Sequence, residues 1–314
     1  MSQEGKSFAI GLDLGGSSLK YALMRSDGEL IWEGKRASKA KSSKQEIIQN
    51  LIEAAQEAQE KAAQSGIEIQ ALGVGTPGLV NTKLGIVLGG ADNLAEWVQV
   101  PLASELSSAL NLPVYVDNDA NLMGFGEYAF GESADAGRLL FFTIGTGIGG
   151  AIFIDGDLYR GFNHAGNELG AVMMNYEGKE GYWEDFASTS AMVRQYLEKE
   201  DVPHAAHEVN GKFILDQYKK GEALATSIFV EHCRLIGYGI SGFINIFNPE
   251  KIIIGGGISE SGPEYIELVQ SAAFHYAMDD CSRGVKIEAA KLGNKAGSMG
   301  AAYFALKRAK SNNS

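Results

Sequence analysis

Residues 8–24 read FAIGLDLGGSSLKYALM, two apolar runs separated by a turn of glycine and serine. The apolar run Phe8–Leu14 predicts a buried strand, and Ser18–Met24 predicts a second strand after the turn at Gly15-Gly16. Glycines let a backbone approach a ligand closely, and consecutive amide groups in such a turn can bind an anion. A hairpin turn with no ligand has the same local pattern. The stretch therefore predicts a strand pair whose turn is a candidate phosphate site.

The residues that follow alternate between helix and strand signals. Lys44–Gln64 has apolar side chains at helical spacing, and Ile69–Val74 is an apolar strand. Leu102–Leu110 predicts a short helix, and Val114–Val116 predicts a strand that ends at Asp117-Asn118-Asp119. This alternation indicates an α/β fold with a parallel or mixed sheet, in which ligands bind at the carboxyl ends of the strands.

The second half of the chain repeats the pattern. Leu139–Ile144 and Ala151–Ile154 predict strands around a glycine turn, and Ala225–Phe247 predicts a long helix that stops at Asn248-Pro249. Lys251–Ile254 predicts a strand that runs into three glycines. Two halves that each contain a strand, a glycine turn and another strand indicate two related lobes with a cleft between them.

We place the boundary between the two predicted lobes near Asp119. The N-terminal α/β lobe then spans residues 1–118, and the C-terminal α/β lobe spans residues 119–297. A final helix, at about 298–314, is expected to pack back on the first lobe. The length of 314 residues fits this division, because it is too long for one ordinary core and suits two domains.

Composition and charge exclude several classes of protein. The net charge of −12 argues against a nucleic-acid partner, because a nucleic-acid groove needs a cationic face. The most apolar stretch, Leu139–Ile154, is interrupted by glycines and is too short to cross a bilayer, so no membrane partner is expected. Cys233 and Cys281 lie far apart, which excludes a disulfide framework and a cysteine-based zinc site and fits the reducing cytoplasm.

Three glycine turns directly follow apolar strands, at Gly15-Gly16, Gly145–Gly150 and Gly255–Gly257. Two stretches, Gly73–Gly78 and Gly145–Gly150, also match G-x-G-x-x-G. Neither opens a helix, as a dinucleotide fingerprint requires, so dinucleotide binding is not expected. Each turn taken singly is most simply a hairpin. Three such turns after apolar strands favour a shared nucleotide-binding cleft.

The ordered set of motifs resembles that of the actin-like sugar kinases. Ile10–Lys20 is similar to their first phosphate motif, Thr143–Gly150 to their second, and Ile252–Ser259 to their adenosine-binding turn. Within this superfamily the chain most resembles the ROK family (repressors, open reading frames and kinases), which includes bacterial glucokinases and N-acetylhexosamine kinases. The supporting stretches are Gly75–Gly78, Asn93–Trp97, Asp117–Asn121 and Gly297–Ala302. The resemblance runs from about Ala9 to Leu306, and it implies a two-lobed actin-like ATPase (ribonuclease H-like) fold with a nucleotide and sugar cleft.

The resemblance implies that ATP phosphorylates a hexose hydroxyl, the 6-OH of glucose or of an N-acetylhexosamine. Asp119 matches the general base, which accepts the hydroxyl proton as that oxygen attacks the γ-phosphate. From the residues alone, an Asx-rich turn of this kind also forms through local hydrogen bonds to the backbone. Asp13 matches the residue that holds Mg²⁺, through a water molecule.

The resemblance also indicates which residues bind the two substrates. The sugar-binding residues are Gly75, Asn93, Asn118, Glu168 and Glu184. The residues that bind ATP and its phosphates are Asp13, Gly15, Gly16, Ser17, Ser18, Lys20, Gly145, Thr146, Gly147, Gly149, Gly255, Gly256 and Gly257. Lys20 is alternatively a solvated strand residue, and Asp117 is expected to cap a turn rather than to act as a second base.

The sequence departs from the ROK pattern between Gly161 and Ser188. Typical members carry a histidine that binds both sugar and zinc, followed by a cysteine-rich zinc loop. Here Ala171 stands in place of that histidine and Tyr182 in place of the last cysteine, so no zinc site is expected. His164 is interpreted as an ordinary loop histidine. The aromatic side chains Tyr176, Tyr182, Trp183 and Phe186 are expected to pack this segment without metal, and stacking on a sugar face is the alternative role.

Two other functions compete with that of a sugar kinase. A sugar-sensing repressor needs a DNA-binding module before the first phosphate motif, and the seven residues before Phe8 are too few for a helix-turn-helix. The loss at Ala171 leaves open a catalytically weak, sugar-binding relative. The sequence does not identify the sugar, because a few hydroxyl contacts distinguish one hexose from another. We further expect a homodimer.

Overall fold

The computed structural model describes residues 6–91, 93–199 and 206–312, which form a mixed α/β fold with two compact units. Unit 1 comprises Met1–Ala134, Leu158–Gly166 and Asn294–Ser314, and unit 2 comprises Asp135–Asp157 and Asn167–Gly293. The division therefore falls after Ala134 rather than near Asp119. The reason is that the helix beginning at Asp119 packs against the C-terminal helix, within unit 1.

The elements in the described residues are as follows. The strands are β1 (Phe8–Leu14), β2 (Ser18–Arg25), β3 (Leu30–Ala37), β4 (Ile69–Thr76), β5 (Leu79–Asn81), β6 (Ile86–Gly89), β7 (Val114–Asn118), β8 (Arg138–Ile144), β9 (Ile148–Ile154), β10 (Asp157–Leu158), β11 (Met173–Tyr176), β12 (Lys179–Tyr182), β13 (Lys251–Gly255) and β14 (Lys286–Ala289). The helices are α1 (Lys44–Gln64), α2 (Leu102–Leu110), α3 (Asp119–Phe130), α4 (Trp183–Ala187), α5 (Thr189–Leu197), α6 (Gly211–Lys219), α7 (Ala223–Phe247), α8 (Pro263–Tyr276), α9 (Asp279–Ser282) and α10 (Ala296–Asn312). Short 3₁₀ turns occupy Leu169–Ala171, Gly257–Ser261 and Gly293–Lys295.

Unit 1 is built on a sheet with strand order β3-β2-β1-β4-β7. β1 pairs antiparallel with β2, whereas β1, β4 and β7 run parallel to one another. The register aligns Asp13 with Gly75 and Gly75 with Asp117, so the carboxyl ends of these three strands meet at one edge. This edge is where an α/β sheet binds its ligands.

Two glycines allow α10 to pack closely on the sheet of unit 1. A Cβ atom on Gly11 of β1 would lie 1.9 Å from the carbonyl oxygen of Ser298, and one on Gly73 of β4 would lie 1.8 Å from that of Ala301. Only glycine permits so close an approach between strand and helix backbones. The final helix, which begins at Ala296, thus covers the sheet of the first unit as expected.

The other face of this sheet is covered by α1, whose apolar stripe includes Ile47 and Leu51, both fully buried. Ser43 and Glu46 form a capping box at its first turn, which satisfies two backbone groups that would otherwise lack partners. The predicted range of this helix, Lys44–Gln64, is confirmed.

Unit 2 is built on a sheet with strand order β10-β9-β8-β13-β14, in which β8, β13 and β14 are parallel. β9 begins at Ile148 rather than at the predicted Ala151, because the glycines of the turn continue the ladder: Gly149 pairs with Thr143. The long helix α7 buries Phe229, Ile236 and Ile240 in the core of this unit. It ends at Asn248, a left-handed residue that precedes Pro249.

No helix within the described ranges 6–91, 93–199 and 206–312 combines the length and apolar character that a membrane span requires.

Candidate active site

The first glycine turn lies between β1 and β2 of unit 1. The Gly15 amide donates to the carbonyl oxygen of Ser18 at 2.9 Å, which closes the turn. Ser38 supports it from outside: the Ser38 hydroxyl donates to the carbonyl of Gly16 at 3.1 Å, and the Ser38 amide donates to the carbonyl of Ser17 at 3.2 Å. The conformation of the predicted phosphate turn is therefore fixed by three hydrogen bonds, and Gly16 and Ser17 lie at its tip.

Asp13 lies at the end of β1, directly before this turn. It is only 3% exposed, and no hydrogen bond reaches its Oδ1 atom. Burial raises the pKa of Asp13 to about 6, although the positive charge of Lys20, its partner across the β1–β2 ladder, opposes the shift. A buried carboxylate oxygen without a partner is a suitable ligand for a hard cation or for its bound water. The residues present thus fit the Mg²⁺ predicted here.

Two residues shape the surroundings of Asp13. A Cβ atom on Gly297 of α10 would lie 2.4 Å from the carboxyl carbon of Asp13, so only glycine leaves room for that carboxylate. The Lys20 amine donates to Asn294 Oδ1 at 3.0 Å in a solvent-exposed hydrogen bond within unit 1. The Gly297–Ala302 stretch noted in the sequence therefore has a packing role beside the first phosphate turn.

Asp119 is the first residue of α3, immediately after β7. Asn118 caps this helix, because its side-chain oxygen accepts a hydrogen bond from the Asn121 amide at 3.1 Å. The Asp119 carboxylate is half-buried, and its Oδ1 atom accepts from the Ala120 amide at 2.9 Å. The positive end of the helix dipole favours the ionised carboxylate at this position.

The predicted sugar-binding residues of unit 1 lie around Asp119 and the first turn. The Asn118 side-chain amide donates to the carbonyl of Gly78 at 3.1 Å. A Cβ atom on Gly75 would lie 3.4 Å from the Cα atom of Asp119, so the two residues are immediate neighbours. Asn93 is exposed, and its Nδ2 atom would lie 3.1 Å from a Cβ atom on Gly16.

An arginine that the sequence reasoning missed also reaches this edge of unit 1. Asp117 is 1% exposed, and its Oδ2 atom accepts from Arg160 through Nε at 3.0 Å and Nη2 at 2.7 Å. Arg160 is distant from Asp117 in the sequence and belongs to no recognisable motif, so no local signal identifies the pair. The expectation that Asp117 caps a turn agrees with its Oδ1 atom, which accepts from the Asn118 amide at 2.8 Å.

In unit 2, the second glycine turn and the adenosine-type turn border one cavity of about 670 Å³. Its lining includes Gly145, Thr146, Gly257, Thr189, Lys212 and Lys219. Gly256 has a φ of +93°, and a Cβ atom there would lie 2.1 Å from the carbonyl oxygen of Ile144, so this close contact between the two turns requires glycine. Gly255 and Thr143 are paired in the β13–β8 ladder, which fixes the two turns side by side.

Glu184 is held against the second glycine turn. Its Oε2 atom accepts a hydrogen bond from the Ile148 amide at 2.9 Å, and a Cβ atom on Gly147 would lie 2.5 Å from the same oxygen. Glu168, at the start of the 3₁₀ turn, is exposed but is close enough to be influenced by this carboxylate. Partial desolvation and, secondly, the negative charge of Glu184 raise the pKa of Glu168. The two predicted sugar-binding glutamates are thus brought together in unit 2.

A β-hairpin occupies the segment where the zinc loop was expected to be missing. β11 and β12 are joined by Glu177 and Gly178, both with positive φ, as in a type I′ turn. The rings of Tyr176 and Phe186 pack with centroids 5.8 Å apart, and Trp183 is buried, so three of the four aromatic residues pack as predicted. Tyr182 is exposed.

Ala171, which replaces the family's zinc-binding histidine, and His164, which precedes it by seven residues, belong to different units. Ala171 is exposed in the 3₁₀ turn. His164 belongs to unit 1, where its Nδ1 atom lies 3.2 Å from the Thr82 hydroxyl. Within the part of the chain that the structure describes, no group of three or more histidine, cysteine, aspartate or glutamate side chains is arranged to hold a metal ion. The absence of structural zinc stays a prediction.

Comparison with known proteins decides the family. The family model described as "ROK family" matches residues 9–308, nearly the whole chain. The chain belongs to the ROK family. Its mixed α/β structure is accordingly the actin-like ATPase fold of ROK sugar kinases, as the sequence motifs predicted.

The relatives within the ROK family include both kinases and regulators. The chain is 31% identical to the glucokinase of Streptomyces coelicolor, over 94% of this chain and 96% of the glucokinase. It is also 31% identical to the xylose repressor of Caldicellulosiruptor bescii, over 93% of this chain and 76% of the repressor. Among solved structures, the ROK family glucokinase of Streptomyces griseus, in complex with glucose and AMPPNP, matches with a TM-score of 0.84 at 28% identity, over 96% of this chain and 100% of that chain.

Proposed function

We propose that this ROK family member transfers the γ-phosphoryl group of ATP to a hydroxyl group of a hexose, with Asp119 as the general base. The observation that carries the proposal is the register of unit 1. It places Asp13 at the end of β1 and the Asp117–Asp119 turn at the end of β7, on either side of Gly75 in β4. The carboxylate proposed for the metal and the proposed base thus belong to one sheet edge, an arrangement that supports phosphoryl transfer to an alcohol.

Asp119 is suited to accept the proton of the attacking hydroxyl. Its carboxylate stands at the N-terminus of α3, where the helix dipole stabilises negative charge before the proton arrives. The Ala120 amide at 2.9 Å from Oδ1 fixes one carboxylate oxygen. A general base that is positioned in this way removes the hydroxyl proton as the oxygen–phosphorus bond forms.

The glycine turns are proposed to hold the phosphates and the nucleoside. In unit 1, the turn of Gly16, Ser17 and Ser18 would bind phosphate oxygens through its backbone amides. In unit 2, the turn of Gly145, Thr146 and Gly147 has the same proposed role. The cavity of unit 2 beside Gly255–Gly257 would take the adenosine. Asp13 would hold Mg²⁺ through water, and that ion supplies positive charge to the phosphate oxygens when it is bound.

Each unit carries polar groups that we propose for sugar recognition. In unit 1 these are Asn93 and Asn118, with Gly75 leaving space beside Asp119. In unit 2 they are Glu168 and Glu184, whose carboxylates accept hydrogen bonds from vicinal hydroxyls. The 6-OH of glucose or of an N-acetylhexosamine is the proposed acceptor. A site built from hydrogen-bonding groups discriminates strongly against sugars that leave those groups unpaired.

A coupled assay of ADP release tests this function. The purified protein, with Mg²⁺ and ATP, is screened against glucose, N-acetylglucosamine, N-acetylmannosamine, fructose, mannose and allose, and the sugar phosphate is identified by mass spectrometry. We expect turnover with at least one hexose above the sugar-free rate. Sugar binding measured by calorimetry without any turnover would instead indicate the catalytically weak, sugar-sensing relative.

A further inference from the structure

Asp117 is a buried carboxylate that joins the end of β7 to the first turn of α3. Its Oδ1 atom accepts from the Asn118 amide at 2.8 Å and from the Asn121 side-chain amide at 3.1 Å. One partner lies at the end of the strand and the other in the helix. The Asp117 carboxylate therefore fixes the bend at which Asp119 begins α3.

Arg160 supplies the positive charge that this buried carboxylate needs. Its Nε and Nη2 atoms both donate to Asp117 Oδ2, at 3.0 and 2.7 Å. The guanidinium group is itself held in place: Nη1 donates to the carbonyl of Leu158 at 3.3 Å, and the group lies 5.4 Å from the centroid of the Phe304 ring. Removing one partner of a buried ion pair leaves an uncompensated charge, which is strongly unfavourable.

The backbone of Arg160 connects the same residue to the loop before Glu168. Its carbonyl oxygen accepts from the Gly166 amide at 3.0 Å, which closes the loop of residues 160–166. A Cβ atom on Gly166 would lie 2.9 Å from the carbonyl carbon of Arg160, so the loop is closed tightly. Asn167 and Glu168 follow directly. The side chain of Arg160 thus contacts the residue two positions before the proposed base, and its backbone fixes the loop that leads to Glu168, a proposed sugar-binding residue.

We infer that Arg160 is a positioning residue for phosphoryl transfer, which orients the Asp119 carboxylate by neutralising and fixing Asp117. This inference rests on the proposed kinase function. Small displacements of a positioned group lower the turnover rate by up to about 10²-fold, because the reacting atoms lose their alignment. Loss of Arg160 should thus act mainly on kcat and much less on the KM for ATP, since its partners lie on the side of the base.

The test compares the variants R160A and R160K with wild type in the full chain. We expect R160A to lower kcat by about 10²-fold, with the KM for ATP changed by less than about threefold. R160K should fall between R160A and wild type, because one amine replaces the two guanidinium nitrogens that now share Asp117 Oδ2. Added guanidinium ion should restore part of the activity of R160A, since Arg160 is 23% exposed and the vacated space is reachable from solvent.

The matched control is R25A, which removes an arginine of unit 1 that pairs with Asp27 at the surface. Its kcat should equal that of wild type. An R160A enzyme with the kcat of R25A would overturn the inference. If R160A does not fold, R160K decides instead, and a folded R160K enzyme with wild-type kcat would also overturn it. Absence of activity in wild type with every hexose would contradict the proposed function itself, so the two failures are distinguishable.

Discussion

Asp119 carries the sharpest expectation at the scale of single residues. The variant D119N keeps the shape of the side chain but cannot accept the hydroxyl proton, so kcat should fall by about 10²–10⁴-fold. Sugar and ATP should still bind with affinities near those of wild type. Steady-state kinetics together with calorimetry separate the two effects, and D27N, at an exposed carboxylate, serves as the control. A D119N enzyme with near-normal kcat would make Asp119 a helix-capping residue and leave the base to be found elsewhere.

Asp13 predicts an unusual dependence of stability on pH. Its folded pKa of about 6 lies above the unfolded value of 3.8, so its favourable contribution to folding is present below pH 3.8 and is lost as the pH rises through 6. Above pH 6 the folded protein therefore bears the free-energy cost of burying an ionised carboxylate, and D13N removes that cost. Without Mg²⁺ and nucleotide, D13N should therefore melt at a higher temperature than wild type at pH 8, and the difference should shrink at pH 5.

The same substitution should impair the response to Mg²⁺. The amide of D13N carries no charge, so the Mg²⁺ concentration at half-maximal activity should rise. A D13N enzyme with unchanged Mg²⁺ dependence would show that Asp13 does not hold the metal ion. Equal melting temperatures for D13N and wild type at pH 8 would show that the buried carboxylate is compensated in solution.

Local sequence pattern pointed to some of the candidate site residues and missed others. Asp13 lies near the end of the apolar strand β1, before a glycine turn. Asp119 follows β7 directly after Asn118. Both strands were predicted from the sequence. Arg160 was missed because its partner Asp117 is remote in sequence, and only the folded unit 1 brings the two together. Glu184 was recognised from the family pattern, but its hydrogen bond to the Ile148 amide follows from tertiary packing alone.

At the scale of elements, the β11–β12 hairpin depends on a backbone conformation that glycine favours. Gly178 has a φ of +78°, and no atom lies within 4 Å of the position that a Cβ atom would take. G178A should therefore add no clash but strain the backbone, at a cost of about 1 kcal/mol in the free energy of unfolding. The control is G242A in α7, which also faces open space but is helical, and should stabilise the protein by up to about 1 kcal/mol. Chemical denaturation measures both. A G178A protein as stable as wild type would indicate that the hairpin relaxes.

Long, strongly patterned elements were predictable, and short ones were not. β1 and α1 have the predicted bounds because their apolar residues are continuous or helically spaced. The hairpin of β11 and β12 was not predicted as strands, since its residues are mostly exposed and lack a clear alternation. The start of β9 was misplaced because glycine is a poor strand former, yet here Gly149 and Gly150 continue the ladder.

At the scale of the whole molecule, we predict a protein without structural zinc. The side chains of Tyr176 and Phe186 pack together at the hairpin, in the segment where the sequence departs from the zinc-loop pattern. Elemental analysis of the purified protein should find zinc far below one ion per chain, and treatment with a chelator should leave the melting temperature unchanged. Stoichiometric zinc that is lost together with stability would contradict this prediction.

The division into units was the least predictable property of the molecule. The sequence suggested two crossings, one near Asp119 and one before the final helix, whereas the chain passes from one unit to the other four times, and Leu158–Gly166 returns to unit 1. The amino-acid composition gives no sign of such a return, because it depends on contacts between residues remote in sequence, such as that of Arg160 with Asp117.

The homodimer and the cytoplasmic location remain predictions. Light scattering would test the first, and cell fractionation would test the second.

The close packing of α10 on Gly11 and Gly73 has a consequence for synthesis on the ribosome. β1 and β4 leave the exit tunnel long before the helix that covers them, since all of unit 2 is translated in between. A nascent chain truncated after Gly293, and held on the ribosome by an added C-terminal linker that fills the exit tunnel, would expose the face of the unit 1 sheet that α10 covers, while every segment of unit 2 has emerged. Limited proteolysis of such arrested chains should cut unit 1 readily and spare unit 2, and release of the full chain should protect both.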